Sequence, residues 1–313
     1  MSSVLYDAQG PRAKRRNVLF TGVFVVVIAA VLWWVYTSLD DKGQLEWTLW
    51  KPFFHSEAWS TYIWPGLQNT LKAAALAMVI ALPLGAVLGI ARLSDHLWIR
   101  VPAAIVVEFF RAIPVLVLMI FGLALYANYT DISSDDRPLY AVVTGLVLYN
   151  AAVLAEIVRA GILALPRGQA EAGVAIGLRK NQVMRLILLP QSVTAMLPAI
   201  VSQLVVIAKD TALGGAVLTF PELLSSANTM IGYYGNTIAS FTAVAVIYIA
   251  LNFSLTTFAG WLEARLRRSK KSTGAVLGAE DMKELNPAGV GGAFGTGGEG
   301  GGPAGITDTR PPR

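Results

Sequence analysis

The sequence predicts an all-α integral membrane protein with six transmembrane helices. Three observations carry that prediction. Hydrophobic residues make up 55% of the 313 and charged residues only 14%, where a soluble domain carries about a quarter charged residues to face water. Mean hydropathy is +0.56. Long apolar runs recur, each near the ~20 residues that a helix needs to cross a bilayer, and the loops joining them alternate between basic and acidic. A soluble enzyme, a fibrous protein and a mostly disordered chain are excluded. Zero cysteines rule out disulfides and thiolate chemistry, and His55 and His96 are too few for a histidine-rich metal centre. The expectation is therefore no metal, no cofactor and no catalytic residue.

The apolar runs fall at 17–38, 62–92, 102–128, 139–163, 192–217 and 238–264. The first follows a basic N-terminus, 1–16, with Arg12, Lys14, Arg15 and Arg16, as a signal peptide would. Its apolar core is too long for a signal peptide, and no small-x-small cleavage site closes it. Trp33, Trp34 and Tyr36 lie at its far end, where aromatic rings favour the headgroup layer. The segment 17–38 therefore reads as a retained N-terminal anchor helix, followed by an extracytoplasmic loop over 39–61.

Loop charge sets the orientation. One set of loops holds Arg92, Arg100, Arg167, Arg179, Lys180, Arg185, Arg265, Arg267 and Arg268. The alternate set has only Lys42, Lys51 and Arg137, beside acids such as Asp40, Asp41, Glu46, Asp131, Asp135 and Glu222. Loops rich in Lys and Arg stay cytoplasmic, which places both termini inside. The net charge of +5 then reflects topology and attraction to anionic lipid, and nucleic acid is not needed to explain it. The tail, 266–313, includes GVGGAFGTGGEGGGPAG. It cannot bury enough surface to offset chain entropy, and is expected to be a disordered cytoplasmic extension.

The fourth and fifth spans are joined by the segment 166–190, too long for a turn and too regular for a disordered loop. Gln169 to Gly177 is built of helix formers and small residues, with Ala170, Gly173 and Gly177 on one face. Gly177 suits a left-handed C-cap, and a second short helix is expected to end near Leu189-Pro190. The residues alone leave open an amphipathic loop resting on the bilayer.

Glu171-Ala172-Gly173, then Gly177, then after nine residues Ile187-Leu188-Leu189-Pro190, resemble the EAA loop of permease subunits of ATP-binding-cassette importers. Further matches narrow the branch to the polar amino-acid permeases (histidine, glutamate, glutamine, arginine), most like the glutamate type. They are Pro65-Gly66-Leu67-Gln68-Asn69-Thr70-Leu71, Glu108-Phe109-Phe110-Arg111-Ala112-Ile113-Pro114, Ala155-Glu156-Ile157-Val158-Arg159, and Lys209-Asp210-Thr211-Ala212-Leu213. The resemblance covers 62–265, a five-helix permease core, and leaves the anchor helix and the tail outside it. It implies a permease importing polar amino acids by alternating access, in the cytoplasmic membrane. It implies as partners a pair of ATP-hydrolysing subunits, an extracytoplasmic amino-acid-binding protein and a second permease copy or related permease. ATP would be bound by the partner, since no G-x-x-x-x-G-K-S/T loop is present here. By the same resemblance Glu171, Ala172, Gly173 and Gly177 form the ATPase contact. Two departures stand out. Gly173 replaces the usual alanine, which weakens the helix by up to ~1 kcal/mol. Arg179 stands where a serine or threonine often caps the second helix, and Asn181 is able to cap it from a shifted start.

Ionisable and polar groups at membrane depth tend to face a bundle interior or a pathway. Asn150, Gln203, Lys209 and Asp210 are candidates to line a route for an amino acid, against pairing between helices or a subunit interface. Glu108, Arg111 and Glu156 are structural or gating candidates, with a local Glu108–Arg111 ion pair as the simplest reading. Pro83, Pro114 and Pro198 are expected to interrupt three spans. An ion-coupled secondary transporter is the alternative function. Such folds show corresponding halves with interrupted helices, and no internal repeat is visible.

Overall fold

A computed structural model describes residues 10–271. The Gly-rich stretch from 272 onward lies outside the described residues. Helix α1 spans Pro11–Asp41, with Pro11 at its first turn, so it takes in Arg12, Lys14, Arg15 and Arg16 rather than starting at 17. None of its residues is buried. The loop expected at 39–61 is not open coil. It is a chain of short helical turns between Trp47 and Ile63, held by Trp59 Nε1 donating to the Phe53 carbonyl at 2.8 Å.

The core follows. Its helices are α2 (Trp64–Ala91), α3 (Leu97–Ala112), α4 (Val115–Tyr129) and α5 (Arg137–Leu163), then α6 (Arg167–Ala175) and α7 (Lys180–Val183), and finally α8 (Leu189–Val217), α9 (Leu223–Tyr234) and α10 (Thr237–Lys271). Central in the bundle is α5, which packs on α2, α3, α4 and α8. Its contact with α2 is made by a stripe at every fourth residue: Ala73, Ala77, Ala81, Gly85 and Gly89, all buried. In lipid no hydrophobic drive pulls helices together, so close backbone approach along small residues supplies the packing energy.

Of the three prolines expected to interrupt spans, only Pro114 does so. It breaks the run 102–128: α3 and α4 meet at a 98° bend, at Ile113-Pro114. Pro114 supplies no N–H and fixes its own φ, which ends α3 cleanly. By contrast Pro83 and Pro198 sit inside continuous helices, because neighbouring packing accommodates the freed carbonyls. The bent pair still carries the chain across. At one end Arg92 and Glu156 join the ends of α2 and α5 at 2.6 Å, and α3 belongs to that end through Glu108. At the other end Tyr126 of α4 meets Thr144 of α5 at 2.7 Å. Counting the pair once gives six spans.

The last span lies where expected, at Thr237–Leu262, and its helix α10 continues to Lys271.

Candidate functional site

The segment between α5 and α8 folds as two helices. Helix α6 closes with Gly177 at φ +84°, a left-handed conformation that glycine adopts without a Cβ penalty. The chain then enters α7, whose start is fixed by Gln182 Oε1 accepting from the Arg179 N–H at 2.8 Å. Gln182 therefore satisfies the orphan N–H, and Asn181 lies inside the helix instead of capping it. The second helix does not stop at Leu189-Pro190. One π-helical turn, Met184–Leu188, joins α7 to α8, so Lys180–Val217 is one continuous helical run. Pro190 fits at the first turn of α8, where its missing N–H costs nothing.

The small residues of α6 divide between two jobs. Glu171, Ala172 and Gly177 are exposed. Gly173 is not: it is buried, and a Cβ there would lie 2.9 Å from Val183 and 2.8 Å from Ile187. The expectation that Gly173 joins Glu171, Ala172 and Gly177 in the ATPase contact is thus corrected, because Gly173 is what lets α6 pack down on the run leading into α8. The outward surface carries apolar bulk that periodicity does not single out, Val174 at 61% and Ile176 at 77% exposed. A second tie runs from Lys180 to Asp95 in the turn between α2 and α3. Lys180, hydrogen-bonded to Asp95, holds that carboxyl below its usual range.

Of the four polar path candidates, the structure pairs two. Asn150, fully buried, donates to the Leu146 carbonyl at 2.8 Å and accepts from Gln203 Nε2 at 2.5 Å. That clasp joins α5 to α8 near mid-span. Lys209 and Asp210 lie about 9 and 10.5 Å further along α8 than Gln203 at 1.5 Å per residue. Lys209 borders a largely apolar cavity of about 540 Å³, with Tyr248 and Asn252.

Glu108 and Arg111 do form an ion pair, at 3.6 Å, but it is one edge of a larger cluster. Arg92, 11% exposed, reaches Glu156 at 2.6 Å and Glu108 at 3.0 Å. Arg159 holds the other Glu156 oxygen at 2.9 Å, and Arg111 approaches Glu156 at 3.9 Å. Beside the cluster opens a cavity of about 490 Å³, lined by Glu108, Arg111, Tyr149, Val153, Glu156 and Ala160 among others. Sequence spacing points only to the i,i+3 pairs Glu108–Arg111 and Glu156–Arg159. Arg92 lies 16 and 64 residues from its partners, so no local pattern announces it.

Glu222 reads in the sequence as a loop acid. In the fold it is fully buried and caps α9, accepting from Leu224 and Ser225 N–H at 2.8 Å each. Tyr248 of α10 donates to it at 2.5 Å, and a Cβ on Gly215 of α8 would collide with it. The one legible signal is its place just before an apolar helix, where an acceptor side chain is favoured. Replacing Glu222 with alanine removes the cap and the acceptor of the Tyr248 hydroxyl, costing about 2–4 kcal/mol. Glu222→Gln, which keeps one acceptor oxygen, is expected to melt between the wild type and Glu222→Ala in detergent.

Comparison with known proteins gives a consistent setting for this geometry. Residues 81–268 match the family described as "Binding-protein-dependent transport system inner membrane component". The chain is 44% identical to the glutamate transport system permease protein GluD of Corynebacterium glutamicum, over 74% of its own length and 85% of that protein. It is 31% identical to the glutamate/glutamine/aspartate/asparagine transport system permease protein BztC of Rhodobacter capsulatus, over 78% of this chain and 56% of that one. Among solved structures, an amino acid ABC transporter crystallised with histidines superposes with a TM-score of 0.59 at 27% identity, covering 65% of this chain and 93% of that one.

Proposed function

This chain belongs to the family of binding-protein-dependent transport system inner membrane components, and on that premise we propose that it carries acidic amino acids, glutamate foremost, into the cell. It is the multi-pass membrane permease of an amino-acid ATP-binding-cassette transporter. Membership implies a separate ATPase and a substrate-binding protein. The 44% identity to a glutamate permease is the observation that carries the choice of cargo.

The mechanical reading follows from the loop between α5 and α8. The basic ends of the helices face the cytoplasm, by the preference of Lys- and Arg-rich loops. An ATPase grips the outward surface of α6, built from Glu171, Ala172, Val174, Ile176 and Gly177. Its closure moves α6, and Gly173 passes that motion through Val183 and Ile187 into the unbroken run of α7 and α8. The Lys180–Asp95 tie passes it to the α2–α3 turn. Two permeases, identical or related, enclose the route between them, and the ATP site lies wholly on the partner.

The test is reconstitution of the assembly that co-purifies in mild detergent into vesicles. Glutamate is expected to stimulate ATP hydrolysis and to accumulate only when ATP is supplied. Stimulation by histidine or arginine but not glutamate would overturn the cargo. Accumulation driven by an ion gradient without ATP would overturn the coupling.

A further inference from the structure

The turn between α2 and α3 and the start of α7 enclose a recess of about 510 Å³, apart from the ion cluster between α3 and α5. Ile99 and Met184 belong to its half-buried apolar lining, while Asp95, His96, Arg179 and Lys180 are exposed around it. Lys180 is hydrogen-bonded to Asp95, and His96 and Arg100 also act on that carboxyl. Among the described residues, neither Arg100 nor Arg179 forms an ion pair with a carboxylate. Three permanent cations, Arg100, Arg179 and Lys180, therefore gather around one acid, and positive charge is left over.

Helix α3 sets this recess against the membrane. It turns 98° into α4, and both its ends are tied to the basic end of the bundle. Asp95, just before it, is held by Lys180, and Glu108, near its close, by Arg92. The helix thus lies along that face. Its residues Leu97, Val101, Ile105 and Phe109 recur every fourth position, so they share a side, and all are exposed. A surface helix with such a stripe beds it at the boundary between headgroups and acyl chains. Trp98 is exposed as well, with its ring 5.8 Å from that of His96, and tryptophan favours the headgroup level. Unpaired cations and an uncovered apolar track therefore adjoin at the start of α3. A soluble phosphate or an acidic side chain of a partner satisfies the cations alone; a lipid satisfies both.

We propose that the recess binds the head group of an anionic phospholipid of the cytoplasmic leaflet, with Arg179 and Lys180 on the phosphate and an acyl chain laid along the stripe from Leu97 to Phe109. Basic pockets between helices on the cytoplasmic side accept head groups of this kind, and the surplus positive charge favours them over zwitterionic lipid. The site goes beyond the importer reading and holds whatever the cargo.

The chain has no cysteine, so Asn181→Cys places a single thiol on the recess wall without removing a charge. Gly168→Cys, where a Cβ meets nothing within 4 Å, gives a reference thiol outside it. The whole importer carrying either one is held in nanodiscs of phosphatidylcholine or of phosphatidylglycerol, and the labelling rate of this chain by uncharged N-ethylmaleimide is measured. Relative to the reference thiol, Asn181→Cys is expected to react at least about threefold more slowly in phosphatidylglycerol than in phosphatidylcholine. Adding Arg179→Gln is expected to remove that protection, and Arg179→Lys, which keeps the charge, to retain most of it. An equal ratio in the two lipids would overturn the proposal, as would protection that survives Arg179→Gln or is lost equally in Arg179→Lys. Inorganic phosphate protecting the thiol in phosphatidylcholine as well as phosphatidylglycerol does would also overturn it, and would make the ligand a soluble anion.

Discussion

Gly85→Leu is expected to abolish accumulation of folded protein, whereas Val87→Leu, two residues away, leaves it intact. A Cβ on Gly85 would lie 2.6 Å from Leu154 Cβ and 2.8 Å from the Ala151 carbonyl. The obstacle is partly backbone, which cannot rotate aside. Gly89 meets the same limit one turn on, where a Cβ would sit 2.6 Å from the Ala155 carbonyl. Forcing a leucine into this seam must part α2 from α5, the helix that holds the bundle together. Overpacking by single methylenes already costs about 1–3 kcal/mol, and here four carbons are added along a line of contact. Val87 is 64% exposed and faces away from the seam, so it reports any general effect of added bulk. The measurement is the monodisperse yield after mild detergent extraction. Equal yields for the two variants would mean that α2 does not pack as tightly as the stripe requires.

That stripe shows what is legible in the sequence and what is not. Ala73, Ala77, Ala81, Gly85 and Gly89 recur every fourth residue, a period carried by the residues themselves; which helix they meet is not. Spans and basic loops are legible because length and charge are local properties. The break at Ile113-Pro114 is harder, since the apolar run continues through it and hydropathy does not register direction. Pro83 and Pro198 carry the same local signature without the break, so only tertiary packing distinguishes them. The ion cluster is half visible: Glu108 and Arg111 sit one turn apart, while Arg92 and Glu156 meet only once the bundle folds. Glu222 is hidden for the opposite reason. A carboxylate in a loop looks solvated, and nothing in its neighbours reveals that Tyr248 and Gly215 close over it.

Ile176→Asp is expected to uncouple ATP hydrolysis from uptake while leaving insertion and fold unchanged. Ile176 is 77% exposed beside Val174 at 61%, on a protrusion where exposed apolar bulk has no role in its own core. If an ATPase closes over this surface, a buried carboxylate there must be desolvated without a partner. Central contacts of this kind cost about 2 kcal/mol or more when lost, equivalent to at least a tenfold weaker grip. Uptake should fall at least that far, with the basal ATPase rate of the isolated motor unaffected. Gly177 provides the paired test, because two effects have to be separated there. At φ +84° with no atom within 4 Å of a built Cβ, the position is strained for most side chains yet sterically open. Asparagine tolerates this conformation better than other residues, so Gly177→Asn probes the backbone alone and should retain most uptake. Gly177→Trp adds a bulky obstacle on the outward surface and should lose it. Loss in both variants would assign the glycine to backbone geometry; loss in neither would leave α6 with no motor upon it.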